Sequence, residues 1–293
     1  MLDYHIHPDY SIDAKGTVEE FCEAALRKEL REIAFATHLD ADLGTGDCHV
    51  RVHGKLVDTL VGEWLEDYET TVRAAAKKYE DAGLKVLLGV EVDYIAGIEG
   101  ILPEQFFATD FDMVLGSTHL IDHLAISDKD RASKAFKKYT KEELGEKYYA
   151  ALTEAANTGL FDILSHIDLY RRFGQAFYGD GIRDIWKPYL RDLVAAMKKH
   201  DVGFEINTSP LRRGQDEPMP SVSIIKALRK EGMKTVTVGS DAHMPTDIGA
   251  GIENALHLLK SIGFQKIARF EHQKPIAFDL DKALDKSKEN YAS

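Results

Sequence analysis

A chain of 293 residues with 44% hydrophobic composition has ample material for a buried core, and barrels of about 250 residues commonly form one domain, so length does not force a division. Thirty-seven basic against 49 acidic residues leave a net charge of −12, which argues against nonspecific nucleic-acid binding driven by counterion release. Two cysteines, Cys22 and Cys48, give no disulfide framework, and no stretch approaches the ~20 apolar residues of a membrane span. With strand and ligand residues beginning at once and leaving no room for a signal peptide, the expectation is a single cytoplasmic domain over 1–293.

Strand-like runs fall near 2–6, 31–37, 85–92, 112–117, 161–165, 202–207 and 235–239. The first ends in Asp3-Tyr-His-Ile-His7, where i and i+2 share a strand face, so His5 and His7 can grip one ion together. A capping box, Thr17 to Glu20, then opens a helix, and Cys22 within it reads as a small core residue. The second run ends in His38, and the third ends in Glu91, a carboxylate among apolar β-formers that is costly to bury unless paired or metal-bound. Glu91 is therefore the candidate bridge between two cations, with Asp93 competing from the same face. The fourth and fifth runs end in His119 and His166, and the seventh in Gly239-Ser-Asp-Ala-His243, which repeats the i, i+2 logic with Asp241 and His243. Helical periodicity predicts helices over 55–82, 141–158, 185–200, 221–231 and 250–261.

Alternating βα units argue for parallel strands with helices outside. Ligands borne on so many strand ends can converge only if the sheet closes, because loops at the C-terminal ends then meet around one axis. An open doubly wound sheet would place its site at one switch point instead. Insertions at about 40–60 and 122–140 lie on the ligand side, where lids are expected. Cys48-His49 with His53 forms only a fragment of a zinc motif and reads as loop, and His200, His257 and His272 read as surface residues. Clustered divalent cations shield a phosphate ester, activate water and stabilise the leaving oxygen. No nucleophile elbow or phosphate-cradling glycine loop is found. Phosphate also calls for the fork of an arginine. The candidates are Arg171 and Arg172 past His166, and Arg212 and Arg213 past Asn207, with Arg171 and Arg212 favoured; His123 is a further substrate contact.

These segments, with Thr37-His38, Gly89-Val-Glu-Val-Asp-Tyr94, Ser165-His-Ile-Asp-Leu169 and Glu205-Ile-Asn-Thr208, resemble the polymerase and histidinol phosphatase (PHP) superfamily, most closely its histidinol-phosphatase branch. The resemblance implies a distorted seven-stranded (β/α) barrel with a metal site at the C-terminal strand ends and two to three divalent ions (Zn, Mn or Fe). It implies that His5, His7, Glu91 and Asp241 hold one ion; that Glu91 bridges to a second completed by His119 and His166; and that Asp13, His38 and His243 hold a third. Several relatives carry histidine where this chain has Asp13, a harder oxygen donor that favours Mn or Fe over Zn. The implied activity is hydrolysis of the small-molecule phosphomonoester L-histidinol phosphate, in histidine biosynthesis, by a metal-bridging hydroxide. In that scheme Glu91, Asp241 and His243 are catalytic, the last two as proton donors to the leaving oxygen, and Tyr94, Asp122 and His123 are candidates for the imidazole pocket. The rivals are a phosphoesterase acting on nucleotides or short oligonucleotides, and a metal-binding scaffold without turnover. Oligomeric state is left open.

Overall fold

The computed structural model describes residues 1–285. Seven parallel strands form one sheet in chain order: β1 (Leu2–Ile6), β2 (Glu32–Leu39), β3 (Lys85–Asp93), β4 (Met113–Ser117), β5 (Ile163–Leu164), β6 (Gly203–Asn207) and β7 (Val236–Gly239). They are buried along nearly their whole length, as expected of parallel strands covered on both faces. One apolar core runs from Leu2 to Ala283.

The sheet nearly closes into a barrel. No regular ladder joins β1 to β7; just beyond the end of β7, Ile6 bridges Ala242, and His7 N–H donates to the Ala242 carbonyl at 2.9 Å. The buried Asp3 carboxylate stitches the same seam, accepting Ser240 N–H and Gly249 N–H at 2.8 Å each. A register shift between Asp3 and Ile6 kinks β1 where it carries His5. The distortion therefore sits at the first ligand pair.

Helices surround the sheet. The capping box expected at Thr17 opens Val18–Arg27, and a second one, Thr140 with Glu143, opens Lys141–Thr158. Helices over Trp64–Glu80, Leu190–Lys199, Val222–Lys230 and Ile252–Ile262 fall within or close to the predicted spans.

Four stretches differ from expectation. Residues 55–63 are not α-helical: His49–Val52 and Lys55–Asp58 form an antiparallel hairpin whose turn residues His53 and Gly54 both have positive φ, as a tight hairpin turn requires, and Thr59–Val61 form a single 3₁₀ turn. A second hairpin, Lys266–Glu271 with Lys274–Asp279, turns through His272 and Gln273, again both at positive φ. The 185–200 helix is shorter, and Arg171–Tyr178 forms an unexpected helix directly after the His166 loop.

Both insertions lie over the ligand-bearing end. Val50 bridges Ser11, and the Arg51 guanidinium donates to the Ile12 carbonyl at 2.8 Å, so the first hairpin holds the loop that carries Asp13. The two insertions also grip each other: His123 Nδ1 lies 2.6 Å from Asp42 Oδ2, and Arg131 Nη1 lies 2.6 Å from Asp47 Oδ2.

Candidate metal centre

Glu91 enters the barrel end from β3 and is almost completely buried. Five imidazoles from four other elements crowd its two oxygens: His166 at 3.0 Å, His38 at 3.1 Å, His5 at 3.3 Å, His7 at 3.6 Å and His119 at 4.0 Å. Asp241 joins from the far side of the seam, 3.4 Å from both His7 Nε2 and His243 Nδ1. Asp13, the most exposed member, lies 3.2 Å from His243 Nε2 and 3.9 Å from His38 Nε2. The nine residues singled out as ligands in the sequence thus lie together in space. Two of them, His166 and Asp241, adopt positive φ (26° and 54°), an uncommon conformation for non-glycine residues. Each belongs to a loop leaving a strand end, where the backbone must turn sharply to aim the side chain inward.

The polar atoms at the centre lack ordinary partners. His5 Nε2, His7 Nε2, His166 Nδ1 and Glu91 Oε2 are buried without a hydrogen bond. Leaving a buried donor or acceptor unsatisfied costs about 1–3 kcal/mol, so four at one point need a common explanation. Clusters of ligand atoms lying within 4.8 Å of one another supply it: His5, His7 and Asp241; Glu91, His119 and His166; His7, His38 and His243. Mixed imidazole and carboxylate donors of this kind suit divalent cations, and the residues present fit such ions.

Electrostatics are consistent with cation binding. Burial works to raise the Glu91 pKa, but His5, His166 and His38 outweigh it and hold the carboxyl well below the usual range. Asp241 is likewise held low by His7 and His243 against its burial. Burial, with the neighbouring His38 and His243, pushes His7 well below the ordinary imidazole value, and burial brings His119 down to about 3. Neutral imidazoles and ionised carboxylates are the protonation states that bind metal. His5 and His38 are the exceptions: Glu205 and Glu91 overcome burial and hold the His5 imidazole well above its ordinary value, and the bond to Glu91 and the charge of Asp13 raise His38 to about 10.

A cavity of about 580 Å³ opens onto this cluster. Its walls include Asp13, His38, Glu91, His119, His166, Asp241 and His243, with Arg172 and Arg213 on one side and Asp40, Asp47 and Asp128 also contributing. The arginines on the cavity are not the favoured pair. Arg171 is buried and committed: its Nε donates to Asp168 at 2.5 Å and its Nη2 to the Pro218 carbonyl at 2.5 Å. Arg212 donates to the carbonyls of Ser240 (2.5 Å) and Asp241 (3.0 Å), bracing the ligand loop from behind. The Arg172 guanidinium makes no hydrogen bond or ion pair among the described residues and lies over the Phe173 ring, 5.1 Å from its centre; burial and the neighbouring Arg213 bring its pKa down to about 10. Two cations facing one cavity without carboxylate partners form a receptor for an anion. His123 is not among the lining residues; its ring is tied to Asp42. Tyr94 donates to Glu154 at 3.2 Å, and Asp122 pairs with Lys147 at 2.8 Å, so neither side chain lines the cavity.

Asp40 is the residue that sequence reading passed over. It lies two positions after His38, the same spacing that paired His5 with His7, and forms a further ligand cluster with His38 and His119. Its carboxylate has no hydrogen bond or ion pair among the described residues, and burial lifts its pKa to about 6. Asp93, the competitor to Glu91, instead accepts His119 N–H at 2.8 Å and so orients that loop. Cys48, His49 and His53 belong to no ligand cluster among the described residues, and His53 Nε2 is 2.9 Å from Asp67. Among the described residues, no helix is long and apolar enough to cross a membrane.

Known proteins carry the same architecture. The chain is 27% identical over 277 residues to a protein of Deinococcus radiodurans named a probable histidinol-phosphatase, covering 94% of this chain and 98% of the relative. It is 24% identical over 275 residues to the histidinol-phosphatase of Lactococcus lactis, covering 93% and 95%. The crystal structure of the Lactococcus lactis histidinol phosphate phosphatase, complexed with zinc, L-histidinol and phosphate, superposes with a TM-score of 0.74 at 22% identity, covering 94% of this chain and 98% of that one. That of a Listeria monocytogenes putative histidinol phosphatase gives 0.73 at 20% identity, covering 87% and 99%. Residues 3–209, well over half of the chain, match the PHP domain, and the protein belongs to that family.

Proposed function

We propose that this protein is a metal-dependent phosphomonoesterase that hydrolyses L-histidinol phosphate to L-histidinol and phosphate, and that residues 1–293 form its single domain. The observation that carries the reading is the juxtaposition, in one cavity, of the imidazole–carboxylate cluster with Arg172 and Arg213. The substrate assignment is supported by relatives that align over nearly their full length and are named for that activity.

In this reading His5, His7, Glu91 and Asp241 hold one ion; Glu91, His119 and His166 a second; and Asp13, His38 and His243 a third, with Asp40 beside the last two groups. Bound divalent ions supply charge neutralisation and a water of lowered pKa. The protein's own groups do the rest. Arg172 and Arg213 hold the phosphate and orient its ester bond, and their approach removes competing solvent. His243 Nδ1 is 3.1 Å from the Asp241 carbonyl, which fixes the ring with Nε2 toward the third ion position; with that position empty, a protonated Nε2 would pass its proton to the departing alcohol oxygen. Ser165 donates to Glu91 at 3.0 Å and Ser209 to Asp241 at 3.0 Å, so each carboxylate keeps one oxygen anchored by protein.

The test is phosphate release from metal-quantified protein, comparing L-histidinol phosphate with a panel of nucleotides and sugar phosphates. A kcat/KM for histidinol phosphate at least about 100-fold above the rest, or ~2.7 kcal/mol of discrimination, is expected. A flat profile or a preference for nucleotides would reject the substrate and retain the metal chemistry.

A further inference from the structure

Glu205 does not line the cavity, yet it touches two of the ligands. It sits mid-strand on β6 and is almost completely buried. Its Oε1 lies 2.7 Å from His5 Nδ1. Because a carboxylate can only accept, that ring nitrogen carries the proton and donates. Oε2 accepts the backbone N–H of His166 and the Asn207 side-chain amide, both at 3.2 Å. No lysine or arginine pairs with Glu205 among the described residues, so its charge faces His5 and the His166 turn alone.

The space for this contact is made by Gly239. A Cβ there would stand 2.2 Å from Glu205 Oε1 and 2.4 Å from His5 Cβ. Gly239 does not have a left-handed φ, so its backbone alone does not require glycine. The small residue is required because a carboxylate and an imidazole meet over it.

We propose that Glu205 is a positioning residue of the metal centre, with Gly239 as the gap that admits it. One oxygen fixes the His5 ring so that Nε2, free of any hydrogen bond, presents its lone pair to an ion. The other oxygen pins the His166 backbone in its left-handed turn, so a single side chain sets ligands of two ion positions. Outer carboxylates of this kind hold tautomer and ring orientation, and their loss commonly weakens metal binding about 10–100-fold. Glutamine cannot substitute. It has one acceptor oxygen, so its NH₂ would face either the His5 or the His166 N–H, donor against donor.

This role rests on the metal-site reading above, and the test separates the two. Wild type, Glu205→Gln, Glu205→Ala and Gly239→Ala are stripped with chelator and titrated with zinc against a competing indicator. Melting of the metal-free proteins and kcat at saturating zinc are measured in parallel. Expected for Glu205→Gln is a ~10–100-fold rise in the free zinc needed for half-saturation, with kcat at saturating zinc reduced much less. Gly239→Ala should reproduce the loss, because it displaces the same carboxylate. A merely structural role would lower metal-free melting and leave zinc affinity unmoved. If Glu205→Ala fails to fold, the near-isosteric Glu205→Gln decides. A zinc affinity in Glu205→Gln within about threefold of wild type would overturn the positioning role alone, whereas wild type that takes up no zinc would overturn the metal site and Glu205 with it.

Discussion

Two glutamates are buried at opposite ends of this barrel, and they are neutralised by different means. Glu32, at the start of β2, has the Tyr4 hydroxyl on one oxygen and Arg269 Nη2 2.5 Å from the other. Glu91, at the end of β3, has no arginine or lysine paired with it among the described residues; beside the Ser165 hydroxyl it faces imidazoles, several with unused nitrogens. Burial raises the Glu32 pKa despite those partners, while the imidazoles around Glu91 reverse the sign of the shift. The closed pair serves the fold. The open cluster is arranged so that added cations complete it.

The comparison can be broken from either side. The largest effect is expected at Glu91: Glu91→Ala should lower kcat/KM by at least about 10³-fold, ~4 kcal/mol. Elemental analysis should show fewer bound ions, while urea unfolding of the metal-free protein stays near wild type. Near-normal turnover in a metal-loaded Glu91→Ala protein would remove the bridging role. At the other end, Arg269→Met leaves a buried charge unpaired and should cost about 3–5 kcal/mol in denaturant unfolding, with turnover per folded molecule unchanged. Chelation should act like the Glu91 change on activity. It should also lower Tm, because ions bound at ~1,000 times their Kd contribute about 4 kcal/mol to the folded state. A Tm indifferent to chelator would count against tight ion binding.

Smaller effects sharpen the division between groups that act and groups that brace. Arg172→Ala should lower kcat/KM about 10–100-fold, ~1.4–2.7 kcal/mol, with Tm nearly intact, because its guanidinium has no charged partner to abandon, only the Phe173 ring. Arg171→Ala should show the reverse, since Asp168 would be left buried without its cation. Equal kinetic losses in the two variants would contradict the assignment of phosphate binding to Arg172. The smallest effect concerns Asp162, remote from the ligands. Burial raises its pKa from 3.8 to about 7, so the folded state keeps a proton that the unfolded chain releases. Stability from this group is present below about pH 4 and is lost as pH rises through 7. Asp162→Asn can still accept Val114 N–H, now at 2.7 Å, without ionising, so its Tm advantage over wild type should grow between about pH 5 and pH 8.

Much of this was legible in the sequence because strands enforce parity. Seven apolar runs, six of them closing on a histidine or carboxylate, left the barrel as the architecture able to gather them, and the strand positions differ from the predicted ones by only a few residues. The same parity, applied to His38, would have found Asp40. The arginines were not legible, since adjacent residues on a helix point about 100° apart and only the partners Asp168 and Pro218 reveal that Arg171 faces inward. The hairpin turns escaped because His53-Gly54 and His272-Gln273 lack the Asn-Gly or Asp-Gly pairs that announce such turns. Glu205 stood in plain view as a motif residue, but its contact with His5 joins positions 200 residues apart, beyond the reach of local pattern.

The seam between β1 and β7 carries a consequence for biosynthesis. His5 and His7 leave the ribosome more than 230 residues ahead of Asp241 and His243. At about 5–20 residues per second this is an interval on the order of tens of seconds. Until then the early histidines lack Asp241, although the Glu205 partner of His5 has already emerged. Until the two ends of the barrel meet, the ion position assigned to His5, His7, Glu91 and Asp241 lacks its last ligand. An ion held at that position therefore reports that the two ends of the barrel have met.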